Sequence, residues 1–209
     1  FNVHPSLLPK YRGANPYFWA LYNGEKETGV TVHRMTQTFD AGEIVLSRAT
    51  PLSQEDCLGT VVLRLNHLAQ QLAVELLEQL ASGMPLVTRT QAAGDYPRAP
   101  LLKPAHLQIN VQWPLERVLR LARACYPHFS VFMPFLGQTL RISEMTAAAG
   151  VETPAGMMVH DGTRLWVGFA DGTAELKQVA VDPAPLLDAK TFIQQHALPR
   201  AIPLISAAP

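Results

Sequence analysis

An amide and an imidazole stand two residues apart at the start of the chain, as Asn2 and His4. In an extended segment the side chains at i and i+2 share a face, so both project from one side of a strand. The loop Pro5-Ser-Leu-Leu-Pro9 follows, and then Lys10-Tyr-Arg-Gly13. Ligands of open α/β sheets bind where strands give way to such loops. Two donors side by side there can both address one oxygen, as a tetrahedral acyl-transfer intermediate requires for its developing oxyanion. Asp40, in the turn Thr38-Phe-Asp-Ala-Gly42, can return to the same mouth and orient or charge the imidazole. Taken singly, Asn-x-His is a strand end with a polar cap, and Asp-Ala-Gly is a turn whose Asp bonds its own backbone. Together at this spacing, the chemical reading is favoured.

The remaining candidates read more plainly. His33 is expected to be a strand residue with a satisfied ring, and His67, His106, His128, His160 and His196 show no ligand spacing. Arg12 has two readings, a phosphate contact or an anchor for the Gly13 turn, and the second is the simpler. The Tyr17-Phe18-Trp19 cluster is expected in the core. Cys57 and Cys125 fit neither a disulfide framework nor a zinc site, so no metal is expected.

Several elements must position these residues. Residues 27–46 read as strand, turn, strand, from the alternating Thr28-Gly-Val-Thr-Val-His33 and the extended Glu43-Ile-Val-Leu46. Residues 15–22 form a short aromatic helix stopped by Asn23-Gly24. Residues 53–83 form the clearest helix, with Ser53 as N-cap, Glu55 and Asp56 in the first turn, Leu58, Val61, Val62, Leu65, Leu68, Leu72, Leu76 and Leu80 recurring at helical spacing, and Gly83 as the stop. Strands followed by a helix predict an α/β domain with a largely parallel sheet. Residues 84–106 lose periodicity among prolines and read as a linker between a domain at 1–83 and another at 107–209. The second domain opens with a helix from Pro114 to about Cys125. Five short strands follow, with Asp161-Gly162 and Asp171-Gly172 as hairpin turns, and a last helix spans 188–196. Short strands with tight turns predict a small barrel, of OB type.

The 209 residues are 48% hydrophobic and 16% charged, enough to bury a core. Lys and Arg number 17, as do Asp and Glu. This neutral balance offers no electrostatic attraction to nucleic acid or to an anionic membrane. Nowhere do 18 uncharged apolar residues run together, and a reducing cytoplasm is the expected location.

Asn2-x-His4-Pro-Ser-Leu-Leu-Pro9-x-Tyr11-Arg-Gly13, then Thr28-Gly-Val-Thr and Asp40-Ala-Gly42, resemble the formyltransferases that use 10-formyltetrahydrofolate. These include methionyl-tRNA formyltransferase, glycinamide ribonucleotide formyltransferase and the nucleotide-sugar N-formyltransferases. The likeness is close over residues 1–46 and looser over 53–83. It continues in Trp113-Pro114, Arg123-Ala-Cys-Tyr-Pro127 and Gly137-Gln-x-Leu-Arg-Ile142. The resemblance implies the C-terminal part of a Rossmann-like formyltransferase domain followed by an OB-like β-barrel domain. It implies that Asn2 and His4 bind the formyl oxygen, that His4 helps remove the proton of the attacking amine, and that Asp40 holds His4. Ser6, Leu7, Leu8 and Pro9 would line the folate site, and Thr36, Gln37, Thr38, Phe39 and Asp40 would edge the pterin. The amine would attack the formyl carbon directly, without a covalent enzyme intermediate.

The acceptor is the open question. Ala14 after Arg12-Gly13 differs from the arginine common in enzymes acting on uridine-linked aminoarabinose. From Pro100 onward nine basic residues face eight acidic ones, where a tRNA-binding domain would be expected to be basic. A nucleotide-sugar amine or similar small amine is therefore preferred to methionyl-tRNA, with a non-catalytic folate-binding module and a formyltetrahydrofolate hydrolase as alternatives. Tyr96-Pro97-Arg98 resembles a segment near the active site of the sugar enzymes. The family's strands upstream of Asn-x-His are missing, so the chain is expected to be N-terminally truncated, to leave apolar faces on its first strand and on helix 53–83, and to bind folate weakly alone. Self-completion as a homo-oligomer is the other expectation.

Overall fold

The structure, a computed structural model, describes residues 1–204. The chain divides into two compact units, Phe1–Leu102 and Lys103–Pro209.

The first unit contains β1 (Asn2–His4), β2 (Arg12–Gly13), α1 (Pro16–Tyr22), β3 (Glu27–His33), β4 (Ile44–Pro51), α2 (Leu58–Ala81) and β5 (Arg98–Ala99). Its three-stranded sheet runs β1-β3-β4, and both pairings are antiparallel. The expected parallel arrangement is thus corrected. The ten-residue connection between β3 and β4 holds no crossover helix, so the chain can only fold back as a hairpin. The one parallel pairing joins β2 to β5, with Arg12 opposite Arg98 and Gly13 opposite Ala99. β3 is buried from Thr28 to His33, because α2 covers one face and the loop after β1 covers the other side of Thr31. The Thr31 hydroxyl donates to Ser6 O at 2.7 Å and accepts from Leu8 N at 3.1 Å, which fastens that loop to the sheet.

α2 buries Leu58, Val61, Leu65, Leu72 and Leu76 on one stripe and stops at Gly83, whose φ is +71°. Its cap differs from the expected Ser53. Residues 53–56 close a separate turn, in which the Asp56 carboxylate accepts from Ser53 N at 2.8 Å. Cys57 is the N-cap residue, and its backbone N–H donates to the Thr60 hydroxyl. Leu63, Val74, Leu77 and Leu80 on α2 are exposed, as are Phe1 and Val3.

Residues 84–97 carry neither helix nor strand among the named elements, yet they are bonded into the first unit. Arg89 bridges to Ile44 in both directions, at 2.8 and 2.9 Å, and Gln91 is buried.

The second unit begins with a 3-10 turn (Pro104–Leu107) and α3 (Leu115–Cys125). It continues through β6 (Val131–Phe135), β7 (Gln138–Ala147), β8 (Met157–His160), β9 (Leu165–Phe169), β10 (Gly172–Val181), β11 (Leu187–Asp188), α4 (Ala189–Gln195) and β12 (Ala201–Pro203). The sheet runs β12-β8-β9-β10-β7-β6, with β11 on β10. Every pairing within it is antiparallel. The two Asp-Gly turns join β8 to β9 and β9 to β10. Val118, Leu121, Leu140, Ile142, Leu165, Leu176 and Phe192 are buried among its core residues. Asp188 caps α4, accepting from Thr191 N at 3.0 Å. The units are thus an α/β domain with a short sheet and a domain built on one antiparallel sheet.

Candidate active site

β1 pairs with β3 so that Asn2 lies opposite His33 and His4 opposite Thr31. This register sets Asn2, His4 and His33 on one side of the sheet, and the β3–β4 loop carries Asp40 back over them. Gly42 makes that return possible, since a Cβ there would collide with Arg34 O. Asp40 itself adopts φ +54°, a left-handed conformation that Asp tolerates better than most residues.

The Asp40 carboxylate is the hub. Its Oδ1 accepts from Asn2 Nδ2 at 3.3 Å and lies 3.6 Å from both His4 Nδ1 and His33 Nε2. Its Oδ2 accepts from the Gly13 backbone N–H at 2.9 Å. Gly13 has φ +125°, and a Cβ there would press on Ala99 O, so the β2–β5 pairing that aims this donor depends on glycine.

Carbonyl oxygens only accept, which assigns the histidine protons. His4 Nε2 donates to Tyr11 O at 2.9 Å, leaving Nδ1 toward Asp40. His33 Nδ1 donates to Arg34 O at 2.8 Å, leaving Nε2 of the neutral ring to accept from Asn2 Nδ2 at 3.1 Å. Both rings are buried, at 4% and 2% exposure. Burial lowers the His4 pKa below its ordinary 6.5. The Tyr11 carbonyl and the Asp40 charge oppose that shift, while His33 adds to it.

The structure therefore gathers Asn2, His4 and Asp40 at one point, together with His33, which the sequence reading left as a plain strand residue. Strand alternation alone could not have found it, because only the register of β3 on β1 sets His33 opposite Asn2. The loop residues separate into two groups. Leu7 and Pro9 line a cavity of about 220 Å³ together with Tyr11, Thr28 and Tyr96. Ser6 and Leu8 are buried instead, and the Ser6 hydroxyl is spent on Lys10 O at 2.7 Å. Thr36, Gln37, Thr38 and Phe39 are exposed, with Phe39 at 87%. Tyr17, grouped at first with the core, donates through its hydroxyl to Asn66 Oδ1 at 3.3 Å. Among the described residues no group of His, Cys, Asp and Glu could hold a metal ion. Burial pushes the Cys125 thiol up to about 12, which makes it inert near neutral pH.

The formyl transferase family matches residues 1–77, and the formyl transferase C-terminal domain matches residues 101–197. A methionyl-tRNA formyltransferase of Koribacter versatilis is 33% identical over 196 residues, which cover 93% of this chain and 62% of that protein. One from Anaeromyxobacter dehalogenans is 37% identical over 179 residues, covering 84% and 57%. The chain thus spans about 62% of the length of the former. Among solved structures, HypX from Aquifex aeolicus in complex with tetrahydrofolic acid superposes with a TM-score of 0.74 at 18% identity, covering 92% of this chain and 34% of that one. The N-formyltransferase from Helicobacter canadensis, in complex with folinic acid and dTDP-3-aminofucose, gives 0.69 at 18% identity, covering 86% and 65%. The likeness to these two structures concerns the fold. Two matched domains in order, and relatives at a third identity over nearly the whole chain, lead to one conclusion: the chain belongs to the formyl transferase family.

Proposed function

We propose that a protein carrying this chain transfers the formyl group of 10-formyltetrahydrofolate to a primary amine, with Asn2, His4 and Asp40 as its catalytic residues. The observation that carries this is the convergence of an amide, at 3.3 Å, and a buried imidazole, at 3.6 Å, on one carboxylate oxygen, Asp40 Oδ1, in a member of this family. The β3–β4 loop suits a flat heteroaromatic ring with polar edges. It exposes the apolar Met35 and Phe39 beside Thr36, Gln37 and Thr38, while Leu7 and Pro9 supply apolar wall nearby. When bound, 10-formyltetrahydrofolate supplies the formyl carbon and a nitrogen that can leave.

Asn2 holds the formyl oxygen. In the structure both of its amide N–H groups are engaged, one by His33 Nε2 at 3.1 Å and one by Asp40 Oδ1 at 3.3 Å. The second, longer bond is the one it surrenders to the oxyanion that forms as the amine attacks. His4 moves the proton. Its Nε2–H is tied to Tyr11 O, so Nδ1 is the basic nitrogen, and burial keeps it unprotonated until the amine nitrogen becomes acidic. Once charged, the ring gains the facing Asp40 carboxylate, which stabilises the imidazolium in place. That proton then passes to the leaving folate nitrogen as its bond to the formyl carbon breaks.

The acceptor we favour is a small amine carried on a nucleotide, consistent with the nine-to-eight balance of charge beyond Pro100. Methionyl-tRNA is the second reading, favoured by sequence relatives of that name at 30–37% identity. The test is tetrahydrofolate release with nucleotide-linked amino sugars, with methionyl-tRNA, and with water alone. Release dependent on one acceptor names it. Release in water at the same rate would replace transfer by hydrolysis, and folate binding without release would leave a binding module.

A further inference from the structure

Tyr11, Arg12 and Gly13 stand in an unusual position. The Tyr11 carbonyl accepts from His4, and the Gly13 N–H donates to Asp40. Arg12 is thus framed by two backbone contacts to the proposed catalytic residues. Among the described residues its guanidinium reaches no carboxylate. Nε and Nη2 both donate to Gln91 Oε1, at 3.1 and 2.6 Å. Gln91 in turn donates through Nε2 to Asp40 O and Gly42 O, each at 2.8 Å. One buried amide therefore links the guanidinium to the turn that holds Asp40.

A second arginine stands beside the first. In the parallel β2–β5 pairing Arg98 lies directly opposite Arg12, and like charges in that relation repel. No ion pair relieves either of them among the described residues. Both line a polar cleft of about 180 Å³, with Gln91, Asp95, Tyr96 and Pro9 around it. Asp95 is the one acid on that lining, so the cleft retains an excess of positive charge. Guanidinium pairs recognise phosphate oxygens by bidentate, charge-assisted hydrogen bonds.

We infer that the cleft between Arg12 and Arg98 is an anion subsite that receives the phosphate groups of the acceptor amine. This rests on the formyl-transfer reading and makes it more specific. A volume of about 180 Å³ suits one or two phosphates of a small molecule, such as the diphosphate of a nucleotide-linked amine, rather than a length of RNA backbone. An anion seated there is held in register with Asn2, His4 and Asp40 through Gln91 and the Tyr11–Gly13 backbone. The subsite positions the amine and takes no part in bond breaking.

Titration calorimetry with inorganic pyrophosphate tests this on a protein carrying this chain, with 5-formyltetrahydrofolate titrated into the same samples. Pyrophosphate binding is expected in the wild type, to weaken tenfold or more in Arg98→Gln, and to strengthen in Asp95→Asn, which removes the cleft's negative charge. Both positions are exposed, so unchanged thermal unfolding is expected to accompany each substitution. No pyrophosphate binding, or equal binding by wild type and Arg98→Gln, overturns the subsite whatever folate does. Arg98-dependent pyrophosphate binding without folate binding keeps the subsite and removes the formyl-transfer reading instead. A short oligoribonucleotide ending in CCA is the third arm. If it binds through Arg98 while pyrophosphate does not, the ligand is RNA and the small-diphosphate inference is wrong.

Discussion

At the scale of single residues, the site is a set of proton assignments. His4 is buried with a lowered pKa, and in the proposed reaction its neutral form is the base. The acid limb of kcat/KM should therefore have its midpoint below 6.5, with activity lost as pH falls through it. A midpoint at or above 6.5 would mean that the Asp40 charge outweighs burial, or that another group titrates. In the proposed mechanism His33 acts through Asn2. Because its Nδ1 is committed to Arg34 O, its Nε2 must accept, and this turns the Asn2 amide so that NH₂ faces the reacting centre. His33→Ala should lower kcat about tenfold, close to 1.4 kcal/mol, with little change in the KM of either substrate. His33→Gln, whose side-chain oxygen can also accept, should recover part of the loss. An equal loss for both variants, or an effect on KM alone, would reduce His33 to packing. The convergence of Asn2, His4 and Asp40 was legible in the sequence because chemistry restricts residue type and strand alternation restricts spacing. His33 was not, since a histidine on a buried strand face is usually just a satisfied core residue. Only the register opposite Asn2 separates the two cases.

At the scale of elements, the turn before α2 carries its own electrostatics. Asp56 is buried, yet its pKa is lowered. Burial pushes it up, but the Arg64 guanidinium at 2.7 Å and the bonds from Ser53 and Thr60 outweigh that. A carboxyl with a lowered folded pKa adds stability that is full above its ordinary value near 3.8. That stability is lost as pH falls below that value toward the folded pKa. Asp56→Asn should cost about 2 kcal/mol at neutral pH and make unfolding less sensitive to acid, as followed by urea denaturation at several pH values. Gly13→Ala should be worse for activity than its side chain implies. The added Cβ meets Ala99 O, parting β2 from β5 and drawing the Gly13 N–H away from Asp40. A loss of kcat with thermal stability also reduced, by about 1–3 kcal/mol, is expected. Wild-type turnover in that variant would deny the β2–β5 pairing its role. Helix periodicity made the body and the end of α2 readable but not its start at Leu58, and Asp-Gly pairs made the β8–β10 hairpins readable. The cap and the sheet were misread for local reasons. Ser53 and Asp56 bond each other before the helix begins. The β3–β4 link is a loop, so strand order in the sequence did not imply crossover.

At the scale of the molecule, family membership was legible because a dozen neighbours of Asn2 and His4 match together, more than any single motif allows. The acceptor was not, because the side chains we infer to select it, such as Arg12, Gln91 and Arg98, converge from distant positions through a stretch without periodicity. No described helix is long and apolar enough to cross a membrane. The central claim is that His4, held between Tyr11 O and Asp40, moves the proton in formyl transfer, and one measurement addresses it directly. Tetrahydrofolate release from 10-formyltetrahydrofolate would be followed with a saturating nucleotide-linked amine, in a protein carrying this chain and in its His4→Ala form. The predicted result is acceptor-dependent release that falls by about 10³-fold or more in the variant, with 5-formyltetrahydrofolate binding retained. Release that survives His4→Ala at a comparable rate would contradict the account.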